Sequence, residues 1–323
     1  MDEIITKLLN SDEPSVRYRT LIGVLGKDPN SAEVQSAREK IRNSTRVQSM
    51  LAPRNADGCF PWHAYQKWKG AFWTLLVLGD IGYPVGDESL RALAEQDFEW
   101  LLDSKRLKAV PLIDGRWRRC VCQEGGVVFS LVRLGLFDPR IEQLVDLMLK
   151  WQWPDGGWNC DKNPSASHSS FHESFTPLRA LNAYWLVSHD PRVKKAIDRA
   201  AELFLSHSLF RRSSNHEIIT PAFTQLSYPL TWHYDILWGL RAMAETGHLS
   251  DPRCQDALDL LESKRLADGG FPADSKYYQV SEEIKTGTSF VDWGGVSSKR
   301  MNPFITAEAL SLLKQAGRHS SAS

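Results

Sequence analysis

A turn of the form Asp-Gly-x-aromatic recurs along this 323-residue chain, at Asp57-Gly58-Cys59-Phe60, Asp114-Gly115-Arg116-Trp117, Asp155-Gly156-Gly157-Trp158 and Asp268-Gly269-Gly270-Phe271. Asp-Pro recurs at Asp28-Pro29, Asp138-Pro139, Asp190-Pro191 and Asp251-Pro252, and Gly82-Tyr83-Pro84 falls where a further copy is due. Ser104-Lys105-Arg106-Leu107 returns as Ser263-Lys264-Arg265-Leu266. The implied step is about 55 residues, and a step of this order marks stacked supersecondary units, none of which buries its apolar face alone.

Each unit reads as two helices. The leading segments, 18–25, 68–79, 124–134, 173–187, 234–245 and 304–316, are apolar on nearly every side, as expected of helices buried all round. The following segments, 32–41, 88–102, 141–151, 193–205 and 254–263, carry charge on one face, and 2–9 supplies a sixth. Asp-Pro and Gly between them are ordinary helix punctuation. Six buried helices alternating with outer ones form either an open solenoid, which needs polar end caps, or a ring. The last leading segment is as apolar as the interior ones, so closure is favoured. The expected fold is all-α: one (α/α)6 toroid over 1–317, a disordered tail over 318–323, and no convincing strand.

Thirty-nine Lys and Arg balance 39 Asp and Glu, which argues against a duplex nucleic-acid binder. Five cysteines are an odd set for a disulfide framework. The amino terminus lacks a signal-peptide pattern. The longest apolar stretch, 71–78, is far short of the ~20 residues that cross a bilayer. A soluble cytoplasmic protein without a transmembrane segment is expected.

Gln152-Trp153-Pro154-Asp155-Gly156-Gly157-Trp158 resembles the Gln-Trp repeat of squalene–hopene and oxidosqualene cyclases. The other Asp-Gly-x-aromatic turns look like weaker copies. Trp232-His233-Tyr234-Asp235-Ile236-Leu237, Trp158-Asn159-Cys160 and Ser170-Phe171-His172 are similar to segments of squalene-cyclase-like bacterial proteins. The resemblance, which extends to protein prenyltransferases, implies a toroid with a cavity at one end of the inner helices. The cyclases start a cationic cascade from an Asp-x-Asp-Asp acid, whereas this chain has no Asp-Asp pair. Fold is therefore expected without that chemistry.

In such a ring the inner helices start around one mouth, where free N–H groups and partial positive charge gather. The residues at those starts are chemically unusual. Cys122, Cys160, His172 and His233 form a candidate Cys2His2 set for Zn2+; the bland alternative is small core cysteines and capping histidines. Prenyltransferases, with zinc on Asp, Cys and His at this end, lend the metal reading support by resemblance. Glu124, Glu173, Asp235 and His233 are candidates for acid/base work, or else a buried polar cluster. Asp235 is alternatively a helix cap or a partner of Arg179 or Arg241. Trp62, Trp68, Trp117, Trp232 and Tyr234 are candidates for lining a substrate pocket, while Trp158 and Phe271 read as staples between repeats. The long connection 273–300, with Gly287, Gly294 and Gly295, reads as a lid.

The functional expectation is an enzyme acting on a hydrophobic, isoprenoid-like or aromatic small molecule by acid/base or zinc-assisted chemistry. The competing readings are a non-catalytic carrier of a hydrophobic ligand, which needs a deep apolar cavity, and an interaction scaffold, which needs a plugged one.

Overall fold

The computed structural model describes residues 3–318. The helices in chain order are α1 (Glu3–Leu9), α2 (Pro14–Arg19, continued by a wider turn over Thr20–Val24), α3 (Ala32–Glu39), α4 (Thr45–Leu51) and α5 (Ala71–Ile81). Then follow α6 (Arg91–Leu101), α7 (Ser104–Lys108), α8 (Cys122–Arg133), α9 (Arg140–Trp151) and α10 (Phe171–Ser188). The series ends with α11 (Pro191–Leu205), α12 (Ile236–Glu245), α13 (Gln255–Ser263) and α14 (Pro303–Gln315). Among the described residues strand is confined to two-residue pieces: β1 (Leu112–Ile113) antiparallel to β2 (Arg116–Trp117), and β3 (Gln279–Val280) parallel to β4 (Thr288–Ser289). No described helix is long and apolar enough to cross a membrane.

The expected leading segments are α2 with its continuation, α5, α8, α10, α12 and α14. All eleven residues of α5 are buried, so its uniform apolarity reflects contact on every side. These helices pack in series: α2 on α5, α5 on α8, α8 on α10, α10 on α12, α12 on α14, and α14 back on α2. The charged-faced helices pair with them, α3 on α2, α6 on α5, α9 on α8, α11 on α10 and α13 on α12. α1 lies against α2 and its continuation. At two helix starts the expectation is corrected: Trp68 and Tyr234 precede α5 and α12. Gly70 and Asp235 both hold extended backbone there, and Asp235 accepts the N–H groups of Leu237 and Trp238 as a side-chain cap. The expected tail is also shortened, because Arg318 is tied to Asp259 at 2.6 Å. Residues 1–2 and 319–323 lie outside the described residues.

The turns at Asp155 and Asp268 share one construction. Trp153 N–H donates to the Gly157 carbonyl at 2.8 Å, and Leu266 N–H to that of Gly270 at 2.8 Å. Trp158 N–H then donates to the Ser174 hydroxyl of α10 at 3.0 Å, and Phe271 N–H to the Thr306 hydroxyl of α14 at 2.9 Å. Gln152 reaches the Ala196 carbonyl of α11 at 2.9 Å, while Arg199 of α11 donates to the Trp153 carbonyl at 2.6 Å. Gly156 holds φ 100°, which side chains rarely adopt. The motif thus fastens one pair to the next.

The middle of the molecule is charged. Arg179 of α10 pairs with Asp80 of α5 at 3.0 Å and with Glu245 of α12 at 2.6 Å. Arg241 of α12 pairs with Asp80 at 3.1 Å and with Glu308 of α14 at 3.3 Å. Arg19, ending α2, bonds Glu308 at 2.8 Å. Asp80 and Glu245 sit in the last turns of their helices, where guanidiniums also complement the negative helix ends. The guanidiniums hold the Asp80 and Glu245 carboxyls below the usual range despite their burial.

Candidate functional site

The helix starts expected to form a collar bring two groups of side chains together. In the first, a thiol of Cys120, a thiol of Cys160 and a carboxylate oxygen of Glu173 all lie within 4.8 Å of one another. Cys120 is in the turn before α8, Cys160 follows the Trp158 staple, and Glu173 occupies the first turn of α10. The Cys160 thiol donates to Glu173 Oε1 at 3.6 Å, and Glu173 Oε2 is buried without a well-aligned hydrogen-bond partner among the described residues. The cysteines are half-buried and Glu173 is buried. The Cys160 contact and burial push the Cys120 thiol up, and burial followed by Glu173 does the same to Cys122. Burial also raises the Glu173 carboxyl.

Cys122, Cys160, His172 and His233 are not brought together as one group of ligand atoms among the described residues. Among the described residues the metal-capable group is Cys120, Cys160 and Glu173. Cys122 opens α8 and is buried beside Glu173, to which its thiol hydrogen-bonds, but it lies outside the group of three. The His172 ring is occupied by backbone: its Nδ1 accepts from Tyr234 N–H at 2.9 Å, and it also bonds the Trp232 backbone. His233 Nδ1 meets the Thr231 hydroxyl at 2.9 Å.

The second group is an aromatic stack. His233 lies between Trp232, with ring centres 4.2 Å apart, and Tyr277, with centres 3.4 Å apart and planes 6° from parallel. His172 meets Trp232 edge-on at 5.2 Å, and Lys67 stands 4.9 Å over the Trp232 ring. Burial, then His172 and Lys67, drive the His233 pKa down to about 3, so the imidazole is neutral near pH 7. Trp68 joins this group through Tyr277, whose carbonyl accepts its indole N–H at 2.7 Å. Trp62 sits alongside, its indole on the Lys69 carbonyl at 2.9 Å and its ring 6.1 Å from Phe290.

Four other expected site residues have structural employment. Asp235 is fully enclosed by its cap bonds and by Ser227, whose hydroxyl donates at 2.7 Å. It pairs with neither Arg179 nor Arg241, and burial lifts its pKa to about 7. Glu124 is buried against Arg119, with Nε to Oε1 at 2.9 Å. Tyr234 is in the core, its hydroxyl on the Leu209 carbonyl at 2.7 Å. Trp117 lies in β2 beneath Lys150, 4.8 Å away, and its carbonyl accepts from the Trp153 indole.

The connection expected as a lid does cover the mouth, and it is fastened there. Trp68 N–H donates to Thr288 O at 3.0 Å, Gly287 N–H to Lys67 O at 3.1 Å, and Lys69 Nζ to the carbonyls of Ser281 and Glu283. Beneath it, the space walled by Met50, Trp68, Trp73, Leu230 and Trp293 is about 20 Å³, room for one water. Two participants escaped the sequence reading. Cys-x-Cys alone is a weak signal, which leaves Cys120 unmarked, and nothing distinguishes Tyr277 within the connection.

No protein-family model and no curated protein sequence matches the chain. Among solved structures it is similar to a glycosyl hydrolase family 88 protein from Bacteroides vulgatus, with TM-score 0.46 and 14% identity over 98% of each chain. It is likewise similar to a protein from Actinoplanes, with TM-score 0.44 and 16% identity over 95% of this chain and 90% of that one.

Proposed function

We propose that the chain is an enzyme built as a six-pair α/α toroid, with a metal-assisted centre of Cys120, Cys160 and Glu173 at its collar. The serial packing that returns α14 to α2 supports the ring. The observation that carries the function is the approach of two thiols and one carboxylate to within 4.8 Å, beside a Glu173 Oε2 with no well-aligned partner among the described residues. Two sulfurs and one oxygen form a donor set that suits zinc. A zinc ion with three protein ligands keeps a position for water, acidifies that water and polarises carbonyl or phosphoryl oxygens. A cation would also reverse the effect of burial on the thiols, which ligate as thiolates.

The chain's own residues supply the setting. Arg119 engages Glu124 at Oε1 and leaves Glu173 without a guanidinium partner. Neutral His233, stacked between Trp232 and Tyr277, presents with them an aromatic surface for a flat apolar substrate. The fastened connection and the roughly 20 Å³ beneath it direct that substrate to the rim rather than into the ring. That volume disfavours both an enclosed polyene and the carrier reading, each of which needs a deep apolar cavity.

The test is elemental analysis of protein purified without a metal-affinity column. About one zinc per chain is expected, lost in Cys120→Ser and Cys160→Ser but kept in Cys59→Ser and His172→Ala. Zinc-free protein from zinc-replete cells, or full metal in both serine variants, overturns the proposal.

A further inference from the structure

A second cavity, of about 230 Å³, lies where α2, the ends of α5 and α8, Arg241 of α12 and the first half of α14 meet. Its polar lining is Arg19, Asp80, Arg133, Arg241 and Glu308; Tyr18, Ile81, Tyr228 and Phe304 supply apolar and aromatic wall. Four guanidiniums gather in and behind it, those of Arg19, Arg133, Arg179 and Arg241, against three carboxylates, those of Asp80, Glu245 and Glu308.

The imbalance is localised. Arg19, Arg179 and Arg241 are each ion-paired. Arg133 makes no hydrogen bond or ion pair with any described residue. It is solvent-accessible, yet lies within electrostatic reach of Glu245, Arg241, Arg19 and Arg179, so it projects into the charged hollow rather than away from it. Arg241 is 4% exposed, and its Nη2 lies 3.1 Å from Asp80 without an aligned hydrogen bond. A cation left unpaired beside a buried cluster favours an anion, and a guanidinium fork matches the two oxygens of a carboxylate.

We infer that this cavity binds a small organic carboxylate, its charge held by Arg133 with Arg241 and its compact apolar body set against Tyr18, Tyr228 and Phe304. A single negative charge offsets the one surplus guanidinium, whereas a phosphate monoester brings more charge than the cluster lacks. The volume falls below the ~300–1,000 Å³ of sites for drug-sized ligands, so the ligand is on the scale of a single ring. The inference is independent of the collar metal, since it uses none of the same residues.

Benzoate, benzamide and phenyl phosphate, titrated at constant ionic strength with calorimetry and thermal denaturation, provide the test. Benzoate is expected to bind saturably and raise Tm, benzamide to do neither, and phenyl phosphate to bind more weakly than benzoate. Arg133→Gln is expected to leave the Tm of the free protein near its parent value, because Arg133 holds nothing, and to weaken benzoate at least tenfold. Arg133→Lys, which keeps charge but not the fork, is expected to fall between. No saturable benzoate binding, equal binding of benzamide, tighter binding of phenyl phosphate, or undiminished binding by both Arg133 variants overturns the inference.

Discussion

Arg179 of α10 and Asp80 of α5 meet at 3.0 Å, both almost wholly removed from water, although 99 residues separate them in the chain. The contact joins two helices that do not follow one another in the packing series, so it ties the inner layer across its middle. Removing Arg179 leaves the enclosed carboxylates of Asp80 and Glu245 to share the single guanidinium of Arg241. Arg179→Met is therefore expected to cost about 3–5 kcal/mol, read as a lower urea midpoint with little change in slope. A loss under about 1 kcal/mol would show that the pair does not brace the molecule.

Asp97, on α6, presents the opposite situation. It is fully buried, neither carboxylate oxygen has a partner among the described residues, and burial pushes its pKa well above the usual value. The folded protein thus keeps a proton that the unfolded chain releases above about pH 4. Its contribution is most favourable below that pH and is lost as pH rises toward the folded pKa. Asp97→Leu is expected to stabilise by about 1–3 kcal/mol near neutral pH, and by less at pH 4. Asp235, with its pKa lifted to about 7, adds to the same trend between pH 4 and 7. Thermal denaturation of both proteins across that range reads the difference directly.

Helices α8 and α10 approach closely because α8 carries Gly125 where α10 carries Pro177. A β-carbon on Gly125 would stand 2.9 Å from Pro177 Cα, a backbone atom with nowhere to go. Gly125→Ala is expected to cost about 1–3 kcal/mol through overpacking, measurable by urea denaturation. A neutral result would mean that the two helices separate freely.

The covering connection depends on the stack of Tyr277 on His233 as well as on backbone bonds. Tyr277→Ala is expected to cost about 0.5–1.5 kcal/mol and to speed amide exchange over 279–289 while α5 and α12 keep their protection. Unchanged exchange there would show that the bonds from Lys67, Trp68 and Lys69 suffice alone.

The helix pairs were legible from residues because period and apolarity are local signals. Trp158 and Phe271 announced the staples for the same reason, and a buried hydroxyl at Ser174 and Thr306 now explains how each turn docks. The collar was legible only as a region. Which cysteines close with Glu173 into one compact group depends on the angle at which α8 starts, which sequence does not state. His172 looked like a ligand because its backbone partners lie at Trp232 and Tyr234, about 60 residues away. The arginine cluster left a fainter trace. Arg179 and Arg241 are charged residues inside apolar helices, which marks them as paired, but apart from Glu245, four residues after Arg241, their partners come from other repeats.

X-ray absorption at the zinc edge of the native protein tests the collar most directly. A first shell of two sulfurs with oxygen in the remaining positions is expected, collapsing to one sulfur or fewer in Cys160→Ser. A shell containing imidazole nitrogens, or no zinc at the edge, would contradict the centre formed by Cys120, Cys160 and Glu173.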